Sequence, residues 1–287
     1  MALNQEVWVN QIMENFYPDR SFLRVVTDFS PLVDNNRIHV PSSGIDPKVL
    51  INNTTYPISV VQRSDTDNEI ELDKFETENT LVRRPEVIEY SYDQLESVIK
   101  QHRETLQAST AKKAIHAYAP QNDTANTPLI PTTGIVYNGR KRLTYIDILS
   151  LKERFDNAKI PLHSRYLVLH PNHVSDLLLQ DIELFKELTN IKDGEPMRFA
   201  GFGCFTFPDM PTYDTTGEKI PFAGTDTSSF ASVAFQANEV MKADGDIFMY
   251  STINDPRERG TIVGFDKRFV AVSIRGKGIG AIVSTPE

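Results

Sequence analysis

Residues 276–281, which read GKGIGA, carry glycines at the spacing of nucleotide-binding motifs. Gly276, Gly278 and Ala281 match the G-x-G-x-x-A pattern of a dinucleotide-binding turn, and Lys277 beside a glycine is typical of a phosphate loop. The dinucleotide motif needs a helix directly after it, because the amino end of that helix binds the pyrophosphate. Only six residues follow Ala281, and Lys277 precedes a glycine instead of Ser or Thr. The run therefore predicts a strand or tight turn in which glycine lets two backbones come close.

Three histidines and one aspartate lie close together and could bind a metal ion. His163, His170 and His173 fall within 14 residues together with Asp176. Zinc is held by histidine nitrogens and carboxylate oxygens, so His170, His173 and Asp176 would be the ligands. The spacing differs from the H-E-x-x-H pattern, however, and no catalytic glutamate fits it. Polar residues at the start of a helix explain the cluster more simply, and we expect no metal site.

The sequence contains no recognisable pattern for a catalytic nucleophile. The one cysteine, Cys204, lies in the apolar stretch GFGCFTF, which favours a small buried side chain over a reactive thiol. A single thiol also excludes an intrachain disulfide and a cysteine metal cluster. The G-x-S-x-G pattern of serine hydrolases is absent. We therefore expect a structural or binding protein, without catalytic residues and without a cofactor.

The charge of the chain restricts its partners. The 287 residues carry a net charge of −9, whereas proteins that grip phosphate backbones are usually basic. Such a charge suits a surface that lies near nucleic acid without adhering to it. No segment approaches the ~18 consecutive apolar residues of a membrane span. The first twenty residues, with acidic Glu6 and Glu14, do not read as a signal peptide.

The first part of the chain is predicted to form an arm and a long hairpin. Residues 4–16 place Trp8 and Phe16 on the apolar stripe of a short amphipathic helix. Residues 37–84 have no helical period, and RIHVP, KVLI, YPISVVQ and EIELDKFETENTLV read as strands, with a hairpin tip near residues 63–68. A hairpin of two strands is marginal in water, so it must lie on another surface.

The last strand of this hairpin is strongly acidic. Ile70 and Leu72 are expected on one face and the neighbouring acids on the other. Two interpretations remain open, a solvated face or a strand that docks on a basic surface of another copy. The seven acids are Asp65, Asp67, Glu69, Glu71, Asp73, Glu76 and Glu78, with Lys74 among them. The candidate basic partners are Arg83, Arg84, Lys112, Lys113 and the cluster Arg140, Lys141 and Arg142.

A long helix and a mixed α/β segment follow. Residues 92–118 have a helical stripe, and a helix of this length spans ~40 Å, which suits a strut better than a core helix. Residues 120–134 are rich in turn formers and mark a boundary. Residues 247–284 are expected to form a closing antiparallel run. The helix after the boundary is expected to bury Leu143, Ile146, Leu149, Leu151 and Phe155.

This order of parts resembles the major capsid protein of tailed bacteriophages, a fold shared with encapsulins and the herpesvirus capsid floor. IHVPSSGIDPKVLINNTTYPISVVQRSDTDNEIELDKFET resembles the extended loop of that family, and YSYDQLESVIKQHRETLQASTAKKAIHAYAP resembles its spine helix. YLVLHPNHVSDLL and ASVAFQANEVMKADGDI resemble segments of the axial domain. DKRFVAVSIRGKGIGAIVS resembles the closing strands of the peripheral domain.

The resemblance implies an α+β fold with a defined division of the chain. Its parts are an N-terminal arm, an extended β-hairpin loop, a long spine helix, and peripheral and axial domains. The bounds implied are 1–36 for the arm, 37–84 for the loop, 85–130 with 246–287 for the peripheral domain, and 131–245 for the axial domain.

The implied function is self-assembly into pentamers and hexamers that tile an icosahedral shell around double-stranded DNA. The implied location is the virion, assembled in the cytoplasm of a host bacterium. Scaffolding, portal and head-decoration proteins would be partners, and DNA would be packaged without sequence-specific binding. An encapsulin-type shell around enzymes is the alternative within the fold. A soluble enzyme that depends on a nucleotide or a metal is the alternative outside it.

The residues expected at contacts between copies come from the arm, the acidic hairpin, the basic clusters and the glycine run. Lys74 is also a candidate donor for the Lys–Asn isopeptide bond that joins subunits in some members of the family, although no acceptor pattern is recognisable. The expected contact residues are Trp8, Phe16, Asp65, Asp67, Glu69, Glu71, Asp73, Lys74, Glu76, Arg83, Arg84, Lys112, Lys113, Arg140, Lys141, Arg142, Arg275 and Lys277.

Overall fold

The computed structural model describes residues 21–42, 51–54, 56–58, 66–83, 94–180, 198–224 and 229–286. Several expectations fall outside these residues: the helix at 4–16 with Trp8 and Phe16, and the side chains of Asp65, Asp67 and Arg84.

Three helices and fifteen strands make up the regular structure of the described part. The helices are α1 (Gln94–Tyr118), α2 (Tyr145–Asn157) and α3 (Pro171–Gln180). The first eight strands are β1 (Thr27–Asp28), β2 (Arg37–Ser42), β3 (Thr66–Glu71), β4 (Asp73–Glu76), β5 (Thr80–Arg83), β6 (Leu129–Pro131), β7 (Val136–Tyr137) and β8 (Arg140–Lys141). The others are β9 (Arg165–Leu169), β10 (Arg198–Phe199), β11 (Phe202–Thr206), β12 (Ala231–Gln236), β13 (Val240–Asp255), β14 (Gly260–Ser273) and β15 (Ile279–Val283).

Two larger sheets organise these strands. One has the order β1-β13-β14-β4, and β5 pairs with the far end of β14. The other is six-stranded and has the order β10-β11-β9-β12-β15-β6. The long antiparallel pair β13–β14 is interrupted by a register shift between Asp244 and Ile247. None of the helices in the described residues is long and apolar enough to cross a membrane.

Helix α1 connects the two sheets, in agreement with the predicted strut at 92–118. Its 25 residues span about 37 Å at about 1.5 Å per residue. Near its start, Ile99 and Leu106 pack with Phe265 of β14. At its end, the ring of Tyr118 lies 5.5 Å from that of Phe235 in β12, and its hydroxyl donates to the carbonyl of Met241 over 3.1 Å. Each end of the helix is therefore buried against a different sheet.

A loop closes the carboxyl end of α1. Lys219 donates from Nζ to the carbonyl oxygens of His116 and Ala119 over 3.0 and 2.8 Å. These carbonyls belong to the last turn, where a helix leaves its acceptors without partners in the backbone. The ammonium group satisfies them and also opposes the negative end of the helix dipole.

The N-terminal described segment completes the core of the six-stranded sheet. Phe22 and Leu23 are buried, and the ring of Phe22 lies 6.5 Å from that of Phe235. Strand β1 pairs in parallel with β13, and Thr27 Oγ1 donates to the carbonyl of Ala237 over 2.8 Å. The first described residues are thus held by strands from the last fifth of the chain.

The hairpin differs from its prediction in register and extent. β2 pairs with β3 in antiparallel fashion, with Arg37 opposite Glu71 and Ser42 opposite Thr66. The predicted tip at 63–68 is wrong, because residues 66–68 lie within β3. The predicted alternation is confirmed: Leu72 is buried, and Glu71 on the opposite face is exposed.

Strands β4 and β5 leave the hairpin and join β14. Phe75 in β4 pairs with Lys267, and its ring lies 6.1 Å from that of Phe269. Thr77 donates from its backbone N–H to the carbonyl of Phe265 over 2.9 Å. Residues 73–83 were predicted as part of the last strand of the hairpin, but they form part of the five-stranded sheet because their apolar side chains are covered there.

Helix α2 buries only part of its predicted apolar face. Ile148, Leu151 and Phe155 are fully buried, whereas Ile146 and Leu149 are 67% and 52% exposed. At 3.6 residues per turn, the first three residues share one face and the last two point away from it. The prediction that Ile146 and Leu149 are buried was wrong, because the positions of apolar residues alone do not determine which side of the helix faces the core.

The glycine run forms a turn and a strand that leaves the preceding sheet. β15 pairs with β12 in antiparallel and with β6 in parallel fashion, so the expectation that it continues the run of β13 and β14 is corrected. Gly276 and Gly278 have φ of +58° and +69°, values that favour glycine. A Cβ on Gly280 would lie 2.7 Å from Phe155 Cε2 and 3.1 Å from the carbonyl oxygen of Pro128. The predicted close approach of backbones is confirmed.

The histidine cluster packs the interface between α3 and the six-stranded sheet. His173 is buried, and its Nδ1 lies 2.6 Å from Ser232 Oγ. The ring of His170 stacks on Phe230 with centroids 3.9 Å apart. Burial, together with the nearby charge of Arg140, lowers the pKa of His170 to about 4. The described residues include no group of three His, Cys, Asp or Glu side chains that could hold a metal ion.

Cys204 behaves as a small apolar residue. It lies in β11, where it is buried, and burial raises the pKa of its thiol to about 12. A thiol with such a pKa is not ionised at neutral pH, and the thiolate is the nucleophile. The prediction of a buried, unreactive cysteine is confirmed.

Gly280→Val is expected to destabilise the subunit by about 1–3 kcal/mol, because its side chain would overlap the ring of Phe155. Gly276→Asn is the matched control, since a Cβ at Gly276 meets no atom within 4 Å and Asn tolerates positive φ. Urea denaturation of the dissociated subunits measures both. Equal midpoints for the two variants would contradict the close approach.

Lowering the pH from 6.5 to 5 is expected to reduce the free energy of unfolding. An unfolded histidine binds a proton below its ordinary pKa of 6.5, whereas folded His170 binds one only near pH 4. The unfolded state therefore takes up more protons in this window, and stability falls as the pH decreases. His170→Gln should give a smaller slope of Tm against pH. An unchanged slope would show that His170 is not buried as described.

Candidate contact surfaces

The acidic strand is exposed, and part of its charge is compensated within the subunit. Arg37 binds Glu69 across the hairpin with 2.6 Å between Nη1 and Oε1. Lys113 of α1, which was expected to meet the acids of another copy, lies 3.5 Å from Asp73 of the same chain. Within the described residues Glu71 forms no ion pair and is exposed. Both interpretations of the strand, solvated face and docking strand, therefore stay open.

Lys74 contacts two carboxylates of its own sheet. Its ammonium group lies beside Glu76 and 3.3 Å from Asp266 Oδ2, and hydrogen bonds to these two carboxylates raise the pKa of Lys74. A protonated amine has no lone pair for attack on an amide. These contacts therefore favour a role for Lys74 as a structural cation over the isopeptide donor considered above.

The basic cluster at residues 140–142 splits into different roles. Arg140 donates from Nη1 and Nη2 to the two oxygens of Asp176 over 2.6 and 2.9 Å. Both side chains are largely buried. Their two hydrogen bonds fix the β7–β8 hairpin on α3 in one geometry. The guanidinium of Arg142 lies 4.2 Å from the ring centroid of Tyr137. Lys141 is exposed, and no ion pair joins it to another described residue.

The cations of the glycine turn also differ from each other. Arg275 donates from Nε and Nη2 to the carboxylate of Glu239 over 2.9 and 2.7 Å. Arg275 was expected to be available for the acidic hairpin of another copy. It instead binds Glu239, directly before β13, and so fixes the glycine turn within its own chain. Lys277 is exposed between the two glycines. Lys112 on α1 and Arg83 at the end of β5 are exposed as well. The exposed cations of the predicted set that no ion pair joins to another described residue are therefore Arg83, Lys112, Lys141 and Lys277.

Large apolar side chains are exposed at several places that charge patterns did not indicate, and three of these regions hold more than one such side chain. In the described part of the loop, Ile51 and Tyr56 are 84% and 73% exposed. On the five-stranded sheet, Phe248 and Tyr250 are 54% and 58% exposed. They lie on the face of β13 opposite α1, since alternate residues of a strand point to opposite faces. The third region surrounds the start of α2. Contiguous exposed apolar patches mark contact surfaces.

The third region is named the α2 patch. Its members are Ile135, Val136, Tyr137, Ile146 and Leu149, with exposed fractions of 82%, 40%, 44%, 67% and 52%. Sequence reasoning missed it because Ile146 and Leu149 were assigned to the core. The signal that could have found it is the width of the stripe: five inward apolar positions in thirteen residues exceed one helical face.

The fold is that of solved capsid structures. The capsid of cyanophage P-SCSP1u matches with a TM-score of 0.68 and 16% identity, over 92% of this chain and 87% of that chain. A structure from Mycobacterium phage Che8 matches with a TM-score of 0.66 and 13% identity, over 92% and 91% of the two chains. The virus-like particle from Pyrococcus furiosus matches with a TM-score of 0.60 and 12% identity, over 97% and 99%.

No protein-family model and no curated protein sequence matches the chain. The similarity therefore lies in the path of the backbone, at identities of 12–16%. It covers more than nine-tenths of the chain. The chain has the fold of the tailed-bacteriophage major capsid proteins.

Proposed function

We propose that the protein is the major capsid subunit of a tailed bacteriophage. Copies would associate into pentamers and hexamers, and these would tile an icosahedral shell around double-stranded DNA in the virion. The observation that carries the proposal is the match in fold along almost the whole chain to capsid structures of phages. The protein would act through contact surfaces instead of a catalytic site.

The exposed surfaces support assembly. Exposed apolar patches mark contact surfaces, so the exposure of Ile51, Tyr56, Phe248 and Tyr250 favours a subunit that associates with other copies. The loop that carries Ile51 and Tyr56 extends from the β2–β3 hairpin, whose root is buried at Ile38. A hairpin that is buried at its base and exposes apolar side chains in its loop is suited to lie on another copy, as a clasp between subunits.

The acids of the hairpin would add selectivity to this contact. Charges at the rim of a contact affect register and the rate of association more than they affect affinity. Glu71, Asp73 and Glu76 are exposed on β3 and β4, and of these Asp73 and Glu76 also contact Lys113 and Lys74 of the same subunit. The exposed cations Lys112 and Lys277 of another copy are the proposed partners. Arg140 and Arg275 are not, because Asp176 and Glu239 already bind them.

The division into domains is proposed with one change. The arm at 1–36 and the loop at 37–84 are kept, although β4 and β5 of the loop are part of the five-stranded sheet. The peripheral domain would contain α1 and the five-stranded sheet. The axial domain would contain the six-stranded sheet, and β15 is reassigned to it because β15 pairs with β12 and β6.

A shell around protein cargo is the alternative. The virus-like particle from Pyrococcus furiosus and this chain cover each other almost completely, at 99% and 97%. The two functions differ in what the shell contains. Scaffolding, portal and head-decoration proteins would be partners only in the first case. The net charge of −9 suits the inner wall of a shell along which DNA must slide, so it favours the phage capsid over the shell around protein cargo.

The proposal is tested by expressing the chain together with the proteins encoded beside it, followed by size-exclusion chromatography and electron microscopy. We expect closed particles of uniform size or free pentamers and hexamers. Nuclease-protected DNA in the particles would support the phage capsid, and enzyme cargo without DNA would support the alternative. A monodisperse monomer at every concentration would contradict both.

Replacing residues 43–65 by an Asn-Gly turn should abolish closed particles without unfolding the subunit. Ser42 and Thr66 are opposite each other in β2 and β3, and Asn-Gly closes a two-residue hairpin. The loop would lose Ile51 and Tyr56, while β4 and β5 would stay paired with β14. Electron microscopy measures particles, and circular dichroism measures the fold.

The matched control for this replacement is the triple variant Ile51→Ser, Tyr56→Ser and Ile58→Ser. It keeps the length of the loop and removes three side chains that are 84%, 73% and 51% exposed. We expect it to reduce particle formation to the same degree, since the apolar contact would be lost in both proteins. Normal particles from both variants would show that the loop is no clasp.

A further inference from the structure

Strand β13 has one edge that is open over much of its length. β14 pairs with the other edge of β13 almost throughout, whereas β1 pairs with this edge only at Met241 and Lys242. Ser30 covers one further group, because its Oγ accepts from the backbone N–H of Asp244 over 2.8 Å. Among the described residues no strand pairs with this edge beyond Asp244. Residues 246–253 therefore form an open edge, which spans about 26 Å at about 3.3 Å per residue.

The backbone groups on the open edge follow from the contacts of β14. Thr77 donates from its N–H to the carbonyl of Phe265 over 2.9 Å, so the backbone groups of Phe265 point away from β13. Residues opposite each other in an antiparallel pair either bond to each other or both point away. Met249 is opposite Phe265, and its N–H and carbonyl therefore point outward. By the same alternation Ile247 also points its backbone groups outward, and the residue between these two bonds to β14.

The sequence of the open edge suits a further strand. Residues 247–252 read IFMYST, which contains neither proline nor a charged residue and consists largely of strand-forming types. The edge strand β6 of the other sheet is blocked: the N–H of Leu129 donates to Asp123 Oδ1 over 2.9 Å, and Pro131 has no N–H. Proteins commonly block free edges in this way, because an unprotected edge pairs with other chains. The edge of β13 lacks this protection over residues 247–252.

Carboxylates mark the start of the open edge. Asp246 is exposed, and no ion pair joins it to another described residue. Asp28, at the end of β1, is exposed as well, and a strand added here would continue the position of β1 in the sheet. Together with the net charge of −9, these carboxylates favour a basic partner. The exposed strand β3 of another copy is unsuitable, because its Glu69 and Glu71 would bring like charges to this edge.

We propose that the open edge of β13 binds a basic, extended segment of a second protein, which adds to the sheet as an antiparallel strand. Main-chain hydrogen bonds to Ile247 and Met249 would supply the affinity. Residues of the segment opposite Phe248 and Tyr250 would lie beside these aromatic rings, where β-branched side chains pack well. A lysine or arginine of the segment would face Asp246. The contact uses the backbone edge of β13 instead of a face of the sheet, and it does not depend on the proposed shell function.

A synthetic peptide of alternating threonine and valine, with a lysine at each end, tests the strand addition. Fluorescence anisotropy of the labelled peptide measures its binding to unassembled subunits of the full chain. If the valines face Phe248 and Tyr250 in an antiparallel strand, the threonine N–H groups point toward β13. N-methylation of the threonines should therefore weaken binding about tenfold, whereas N-methylation of the valines, the matched control, should change it less than about twofold. Equal effects of the two modifications would overturn the inference.

Two proline variants test the same edge from the protein side. Met249→Pro removes an outward N–H and should weaken binding of the unmodified peptide about tenfold, since proline is tolerated where no ladder bond is lost. Tyr250→Pro removes a donor to β14 and should lower Tm more than Met249→Pro does. If Met249→Pro unfolds the subunit, the N-methylated peptides decide the question on the unchanged protein.

A charge variant tests the basic character of the partner. Asp246→Lys should weaken binding of the lysine-containing peptide about threefold or more, because it places like charges opposite each other. Glu153→Lys is the matched control, since it makes the same change of charge at an exposed position of α2, beside the other sheet. Equal binding by the two variants would show that the partner is not selected by its charge at Asp246.

Peptides that tile the sequence of this chain distinguish a second protein from a second copy. If one of them binds more tightly than the basic probe and loses binding to Met249→Pro, the occupant is another copy and the assignment of a second protein is wrong. Undiminished binding of the probe to folded Met249→Pro, or no binding up to about 1 mM, would overturn the edge as a site. Particle formation is measured separately, so the proposed shell function stands or fails on its own.

Discussion

The burial of helix α1 at both of its ends is the constraint on which the rest of the structure depends. Leu106 belongs to a cluster with Phe265 of β14, and Tyr118 belongs to the core of the six-stranded sheet. One continuous rod therefore fixes the separation and orientation of two sheets that share no strand and are otherwise joined where the chain passes from β12 into β13 and from β14 into β15. The exposed loops and patches are positioned relative to one another because this rod is anchored at both ends.

This constraint explains how charged residues are used. Pairs that fix an element on its support are bidentate and partly buried, as in Arg140–Asp176 and Arg275–Glu239. Removing one partner of such a pair leaves a buried charge uncompensated, which is costly. The exposed cations without such a pair among the described residues, Arg83, Lys112, Lys141 and Lys277, would then be the ones available to other copies. Sequence alone groups both kinds together, since Arg140, Lys141 and Arg142 are adjacent.

The order of elements could be predicted from the sequence, because turn formers and apolar periods are local signals. The strut at 92–118, the buried Cys204 and the reason for the glycine run were all predicted correctly. The destination of β15 could not be predicted, since strand partners are chosen by packing between residues far apart. The rotation of α2 could not be predicted either: an apolar stripe wider than one face contains both core and contact residues. Ion pairs such as Lys113–Asp73 depend on the folded geometry in the same way.

The parallel pairing of β1 with β13 has a consequence for synthesis of the chain. The hydrogen bond from Thr27 to Ala237 joins residues 210 positions apart, and contacts of such high sequence separation form slowly. Phe22 can enter its core only after β12 has left the ribosome. A nascent chain therefore stays incomplete until almost all of it is made. Each subunit therefore completes this core only when nearly the whole chain has been made, so that copies would meet as whole subunits.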